Sequence, residues 1–182
     1  MQLYYNNDNL IWCDSLIDTK TGIYINDAVL KLTVCYSGTG YEGTITGLTA
    51  ASPIVATSAN HGLSNGNKVA IRKVNGIIEA IGIQTVANKT SDTFELSGTT
   101  GTGAFVDTSG TADPPTWYLA ATGLIQLDFE YISGSNGRYA ATVLGTSFLR
   151  GRVRYKGYVE ATDTTYKNHL NFFSDIDVVD RI

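Results

Sequence analysis

The chain has little charge, little cysteine, two histidines and almost no helical periodicity. Apolar residues seldom recur at three- and four-residue spacing, which excludes a helical bundle or coiled coil as the main architecture. Charged residues make up 16% of the 182 positions, below the roughly 25% usual for soluble domains. The 13 Lys and Arg against 17 Asp and Glu give a net charge of −4. That balance argues against broad nucleic-acid binding, which needs a basic surface to displace counterions from phosphates. Cys13 and Cys35 are too few for the disulfide framework of a secreted mini-protein. Pairing of two early strands could bridge them, whereas assembly in a reducing cytosol leaves both as buried thiols. No apolar stretch approaches the roughly 20 residues of a membrane-spanning helix. Met1 is followed by Asn6, Asn7, Asp8 and Asn9 rather than by a basic and then apolar run, so no secretory leader is expected.

Catalytic and metal-binding patterns are equally sparse. A nucleophile needs a base within hydrogen-bond reach, and the candidates are His61, in a His-Gly-Leu turn, and His169, in a strand-like run from Tyr166 to Phe173. A packing or capping role is expected for His61 and a solvent- or neighbour-facing one for His169. No Gly-x-Ser-x-Gly elbow is present. Asp175, Asp177 and Asp180 could offer oxygens to calcium, with a solvated acidic tail as the plainer account. Spacings that hold zinc are missing. Asp128, Glu130 and Glu160 could meet as paired carboxylates, but cross-strand pairing with Arg152 or Arg154 is the simpler expectation. Gly38-Thr39-Gly40 and Gly101-Thr102-Gly103 lack the strand-to-helix setting of a phosphate loop. Asn88-Lys89-Thr90 matches a glycosylation acceptor. No cofactor, no metal and no enzymatic activity are expected.

What the chain does have is alternation. Leu30, Leu32, Val34 and Tyr36 fall on one face of the run Ala28 to Tyr36, opposite Lys31 and Thr33. Ile125, Leu127, Phe129 and Tyr131 repeat the pattern against Gln126, Asp128 and Glu130. Tyr139, Ala141 and Val143 do so again, as do Val153, Tyr155, Gly157 and Val159 against Arg152, Arg154, Lys156, Tyr158 and Glu160. These are strands with one buried face. Asn136-Gly137, Asn65-Gly66 and Asn75-Gly76 supply hairpin chemistry. The 11 Tyr and 19 Gly suit twisted sheets joined by tight turns, and abundant Tyr with little charge also suits surfaces covered by neighbours.

One segment stands apart. Thr44-Ile45-Thr46-Gly47, Pro53 to Thr57, His61 to Gly66, Val69-Ala70-Ile71, Thr93 to Leu96, Gly103-Ala104-Phe105 and Thr108 to Ala112 read as a small all-β module. This cadence resembles a module of tail and neck proteins of tailed bacteriophages. That module is often likened to the first catalytic cysteine half-domain of ubiquitin-activating enzymes, though it carries no enzyme chemistry. The flanking parts, 1–43 and 113–182, offer about seven strands together, close to an immunoglobulin-like count. Ile23 to Leu30, with Asn26-Asp27-Ala28, resembles the opening of small immunoglobulin-like phage proteins. Phe129 to Tyr139 resembles their hairpin, and Arg154 to Ala161 their penultimate strand. The expectation is therefore an all-β chain: an immunoglobulin-like β-sandwich built from both ends, with a small β-barrel or sandwich (44–112) inserted in a loop. Gly38-Thr39-Gly40 and Asp113-Pro114-Pro115 are expected as its joints.

The resemblance implies a non-enzymatic structural protein of a phage virion, assembled in the bacterial cytoplasm and docked on portal, neck or tail proteins in a symmetric multi-copy array. Capsid decoration, docked on the major capsid protein, is the alternative. No membrane partner and no direct nucleic-acid partner are expected. Arg150, Arg152, Arg154 and Lys156 project from one face of one strand beside Tyr158, and form an expected interface stripe unless this chain's own carboxylates oppose them. Tyr41, Trp117 and Tyr118 are candidates either for stacking on sugar rings, in a receptor- or glycan-binding tail module, or for filling the gap between domains.

Overall fold

The computed structural model describes residues 2–4, 8–14, 16–18, 21–121, 127–144, 154–163 and 169–179. Its strands are β1 (Gln2–Tyr4), β2 (Asn9–Cys13), β3 (Ala28–Tyr36), β4 (Glu42–Thr44), β5 (Gly47–Leu48), β6 (Ile54–Thr57), β7 (Lys68–Arg72), β8 (Gly82–Ala87), β9 (Thr93–Leu96), β10 (Thr116–Leu119), β11 (Leu127–Tyr131), β12 (Tyr139–Val143), β13 (Arg154–Asp163) and β14 (His169–Val179). A single turn of 3-10 helix, Ile78–Ala80, is the only helical element among the described residues. The chain is all-β, as its alternation implies.

It divides into two compact units. The outer one combines Met1–Val34 with Ala121–Ile182, and the inner one is Cys35–Ala120. Each owns one seven-stranded sheet, in the orders β1-β14-β13-β3-β11-β12-β2 and β4-β10-β7-β8-β9-β6-β5. Among the strand pairs with a described register, pairing is antiparallel except for β1 on β14, which is parallel.

In the outer unit, β11 changes partner halfway. Leu127, Asp128 and Phe129 pair with β3, whereas Glu130 and Tyr131 pair with β12. The inner unit repeats the device with β8, whose first residues pair with β7 and whose Val86 and Ala87 pair with β9. It then goes further. Ile45 N–H donates to the Pro115 carbonyl at 2.8 Å, continuing the β4–β10 ladder, and Thr46 N–H donates to the Thr57 carbonyl at 2.9 Å, opening the β5–β6 ladder. One bent segment thus supplies both ends of the strand order. The inner sheet closes on itself as a small barrel, which leaves no edge to template aggregation.

The barrel core is Ile45, Ile54, Leu63, Val69, Ile71, Ile77, Val86, Phe94 and Leu96 around Trp117. Gly43 lies directly across the ladder from Trp117. A Cβ there would sit 2.8 Å from the indole Nε1, so the ring occupies the space that any other residue would fill. The indole N–H donates to Ser58 Oγ at 2.9 Å, and the edge of the Phe94 ring meets it at 6.4 Å between centroids. The ring's polar atom is therefore satisfied in a dry interior.

The inner unit is wider than the 44–112 read from sequence. Glu42 to Thr44 and Thr116 to Tyr118 pair with each other, so both belong inside the barrel. Pro115 is buried at the start of β10 rather than forming a joint. Gly38 to Gly40 also lie within the inner unit. The chain crosses between units at Val34/Cys35, within β3, and at Ala120/Ala121. Ala121 N–H donates to the Val34 carbonyl at 2.7 Å, and Cys35 bridges Ala120. The two crossings are side by side, so the insertion replaces the turn of the β3–β11 hairpin and costs little loop-closure entropy.

Both cysteines are free thiols. Burial pushes the Cys35 thiol up to about 12, and burial, followed by the neighbouring Asp14 carboxylate, raises Cys13. A thiol, unlike a thiolate, is a poor nucleophile. Native protein at neutral pH should accordingly leave Cys35 unalkylated by iodoacetamide while urea-unfolded chain reacts fully. Rapid labelling of Cys35 in the native state would contradict its burial.

Candidate interaction surface

Two segments that stand 111 residues apart in sequence close on each other in the outer unit. The Asn26 carboxamide oxygen accepts the Gly137 N–H at 2.8 Å. The Tyr139 hydroxyl donates to the Ile25 carbonyl and accepts the Ala28 N–H, each at 3.0 Å. Leu16 completes the clamp, its N–H donating to Gly137 and its carbonyl accepting from Ile25, each at 2.9 Å. Tyr139 is 1% exposed, and burial raises its phenol above the usual value, so the hydroxyl keeps the proton it donates. Asn26-Asp27-Ala28 and Gly137-Arg138-Tyr139 are thus two halves of one device, buried at Ala28, Gly137 and Tyr139, that fixes the entry into β3 against the β11–β12 loop.

This clamp holds up a sheet face of mixed character. β2 is the last strand of the outer order, and its inward residues Asn9 and Ile11 are buried. Its outward residues are apolar: Leu10 is 53% and Trp12 50% exposed. In register with them across β12 are Thr142 and Ala140, and Glu130 of β11 follows Ala140. Asp128 of β11 faces Lys31 of β3, and they form an ion pair at 3.6 Å. Val29 and Leu144 are also exposed. Arg138 lies 5.8 Å over the Trp12 ring and bonds Asp14 at 2.6 Å, which presents the indole in a fixed orientation. Half-exposed Leu and Trp on an end strand are the outward residues that a hydrophobic-in, polar-out reading of a sheet does not account for.

The basic strand is built differently from its sequence reading. Arg150 and Arg152 lie outside the described residues. Arg154 is exposed and Lys156 half-buried on β13, but Tyr158 is fully buried. It therefore drops out of the expected stripe, because both faces of this central strand are covered at that point. The β13–β14 register sets Arg154 opposite Asp177 and Lys156 opposite Asp175. Asp180 lies outside the described residues, and no group of three metal-ligating residues occurs among the described ones. Glu160 stands opposite Asn171 and His169 opposite Thr162. Asp128 pairs with Lys31.

The aromatic candidates also separate. Trp117 is a core residue of the inner barrel at 1% exposure, and Tyr118 is buried. Neither offers a ring to a sugar. Tyr41 alone is exposed, with its ring 4.9 Å from that of Tyr36. Thr116 to Leu119 has no clear alternation, so periodicity did not tell which ring faces inward.

His61 is buried, and both of its nitrogens are engaged. Nδ1 accepts the Leu63 N–H at 3.0 Å, and Nε2 donates to the Thr93 carbonyl at 3.2 Å. The ring ties the turn to β9 in one tautomer. Nearby, Asp92 is held below the usual carboxylate range by the Asn60 N–H and then the Ser91 hydroxyl. It caps the same turn from the other side.

Compared with protein-family models, with curated proteins and with solved structures, the chain matches none.

Proposed function

We propose that this chain is a non-enzymatic structural protein of a tailed-phage virion, docking on head-to-tail proteins through the outer sheet. The observation that carries the reading is the outward face of β2, where Leu10 and Trp12 stand half in water on an end strand. Covering such side chains stabilises a contact at about 25 cal/mol per Å² of apolar area. One contact of this kind is weak, and a ring of copies multiplies it into firm attachment. The clamp supports the same reading. The two segments that carry the resemblance to immunoglobulin-like phage proteins bond each other through Asn26, Gly137 and Tyr139, which holds the outer sheet in place behind the β2 face. Capsid decoration would use the same face on a different partner. A glycan-binding role rested on three aromatic rings, of which Tyr41 alone is exposed.

The reading is tested by Leu10→Glu with Trp12→Glu, scored as copies per purified particle. Both positions are exposed, so the folded monomer should keep its melting temperature within the small range of surface substitutions, about 0.5 kcal/mol each. Incorporation should fall to background. Arg154→Glu, whose counterpart position belongs to the same chain, should cost less. Normal incorporation of the folded double variant would remove the β2 face as the docking surface.

A further inference from the structure

The chain contains three Asn-Gly pairs, at Asn65, Asn75 and Asn136. Such pairs can close on themselves when the glycine nitrogen reaches the asparagine side chain. The structure treats the three differently. The Gly66 N–H donates to the Val86 carbonyl at 2.8 Å, and the Asn65 carboxamide oxygen accepts the Lys89 N–H at 3.0 Å. The Gly137 N–H donates to the Asn26 carboxamide at 2.8 Å. Both nucleophilic nitrogens are therefore engaged, and the Asn65 electrophile is anchored as well. Asn75 and Gly76 are both exposed. Among the described residues the Gly76 N–H has no acceptor and the Asn75 carboxamide has no hydrogen bond. The Asn75 backbone is held in an isolated antiparallel bridge to Val106, whose N–H donates to the Asn75 carbonyl at 3.0 Å.

We propose that Asn75 is a self-modification site of this protein, deamidating through a cyclic imide while Asn65 and Asn136 are protected by the fold. The Gly76 nitrogen attacks the Asn75 Cγ, forming a C–N bond. The Cγ–NH2 bond breaks and ammonia leaves with the amide proton. Water then adds to one of the two imide carbonyls, giving aspartate or isoaspartate at position 75. No electrons are transferred, and water is the only co-reactant. The position is sensitive, because Val106 bonds back to it and the Gly76 Cα approaches the Ala104 carbonyl so closely that a Cβ would lie 1.8 Å from that oxygen. An isoaspartate adds a backbone atom there and places a new carboxylate on the inner unit.

The test is storage of the full-length protein at mildly alkaline pH, with peptide mapping by mass spectrometry over time and an isoaspartate-specific methylation assay. Deamidation at Asn75 should run about tenfold faster than at Asn65 or Asn136, a ratio worth about 1.4 kcal/mol of activation free energy. In urea-unfolded chain the three sites should converge. Asn75→Gln should abolish the isoaspartate signal of the native protein. Equal native rates at the three sites, or a native Asn75 that stays intact while the unfolded chain reacts, would overturn the proposal.

Discussion

Trp117→Ala should destabilise the inner barrel by about 3–5 kcal/mol, the range for removing a large aromatic from a packed core. The ring is the centre of that core, with the Phe94 ring nearly perpendicular to it and Gly43 making room beneath it. Its loss opens a cavity that the closed ladder cannot collapse to fill. It also strands the buried Ser58 hydroxyl that takes the indole N–H. Domains of this size have about 5–15 kcal/mol in total, so the barrel should be close to unfolding at physiological temperature. Urea titration followed by circular dichroism measures the shift. Trp117→Phe separates the contributions, since it keeps much of the apolar contact and removes the N–H, at about 1 kcal/mol for that hydrogen bond. A midpoint unchanged in the alanine variant would mean that the ring is not the core residue described here.

Gly137→Ala should be the most damaging single methyl in the outer unit. The residue has φ +64, and an added Cβ would lie 2.5 Å from the Leu16 carbonyl oxygen and 2.8 Å from its nitrogen. The left-handed backbone costs an alanine about 1–2 kcal/mol, and displacing fixed backbone adds about 1–3 kcal/mol. A loss of about 2–5 kcal/mol is expected, with the clamp through Asn26 and Tyr139 loosened. Gly134→Ala is the control. It has a similar φ of +76 but open space around it, so it should show the backbone cost alone. If the two variants melt together, the close approach to Leu16 carries no energy.

Most of the secondary structure was legible, because period-two alternation reports a half-buried strand directly. Ala28 to Tyr36 and Tyr139 to Val143 begin and end where the pattern does. The unit boundary was not legible. The crossings at Val34/Cys35 and Ala120/Ala121 are apolar and lie beside each other in paired backbone, so no Gly, Pro or charge marks them. The conspicuous Gly38 to Gly40 and Pro114-Pro115 sit inside the barrel instead. Tyr158 misled for a related reason: alternation assigns it to the face of Arg154 and Lys156, but cannot tell that this face is covered farther along a central strand. The β2 face was missed because Leu10 and Trp12 alternate with Asn9, Ile11 and Cys13, and a strand with apolar residues on both faces gives no preferred direction. That ambiguity was itself the signal, since a strand with apolar residues on both faces leaves one apolar face outward when it ends a sheet.

The proposed attachment rests on the outward face of β2, where Leu10 and Trp12 are half exposed. The most direct test is quantitative mass spectrometry of purified viral particles from the genome that encodes this chain. The account predicts the protein at a fixed, stoichiometric multiple relative to the portal, retained through gradient purification. Its absence from intact particles, with the chain recovered only from the soluble lysate, would contradict it.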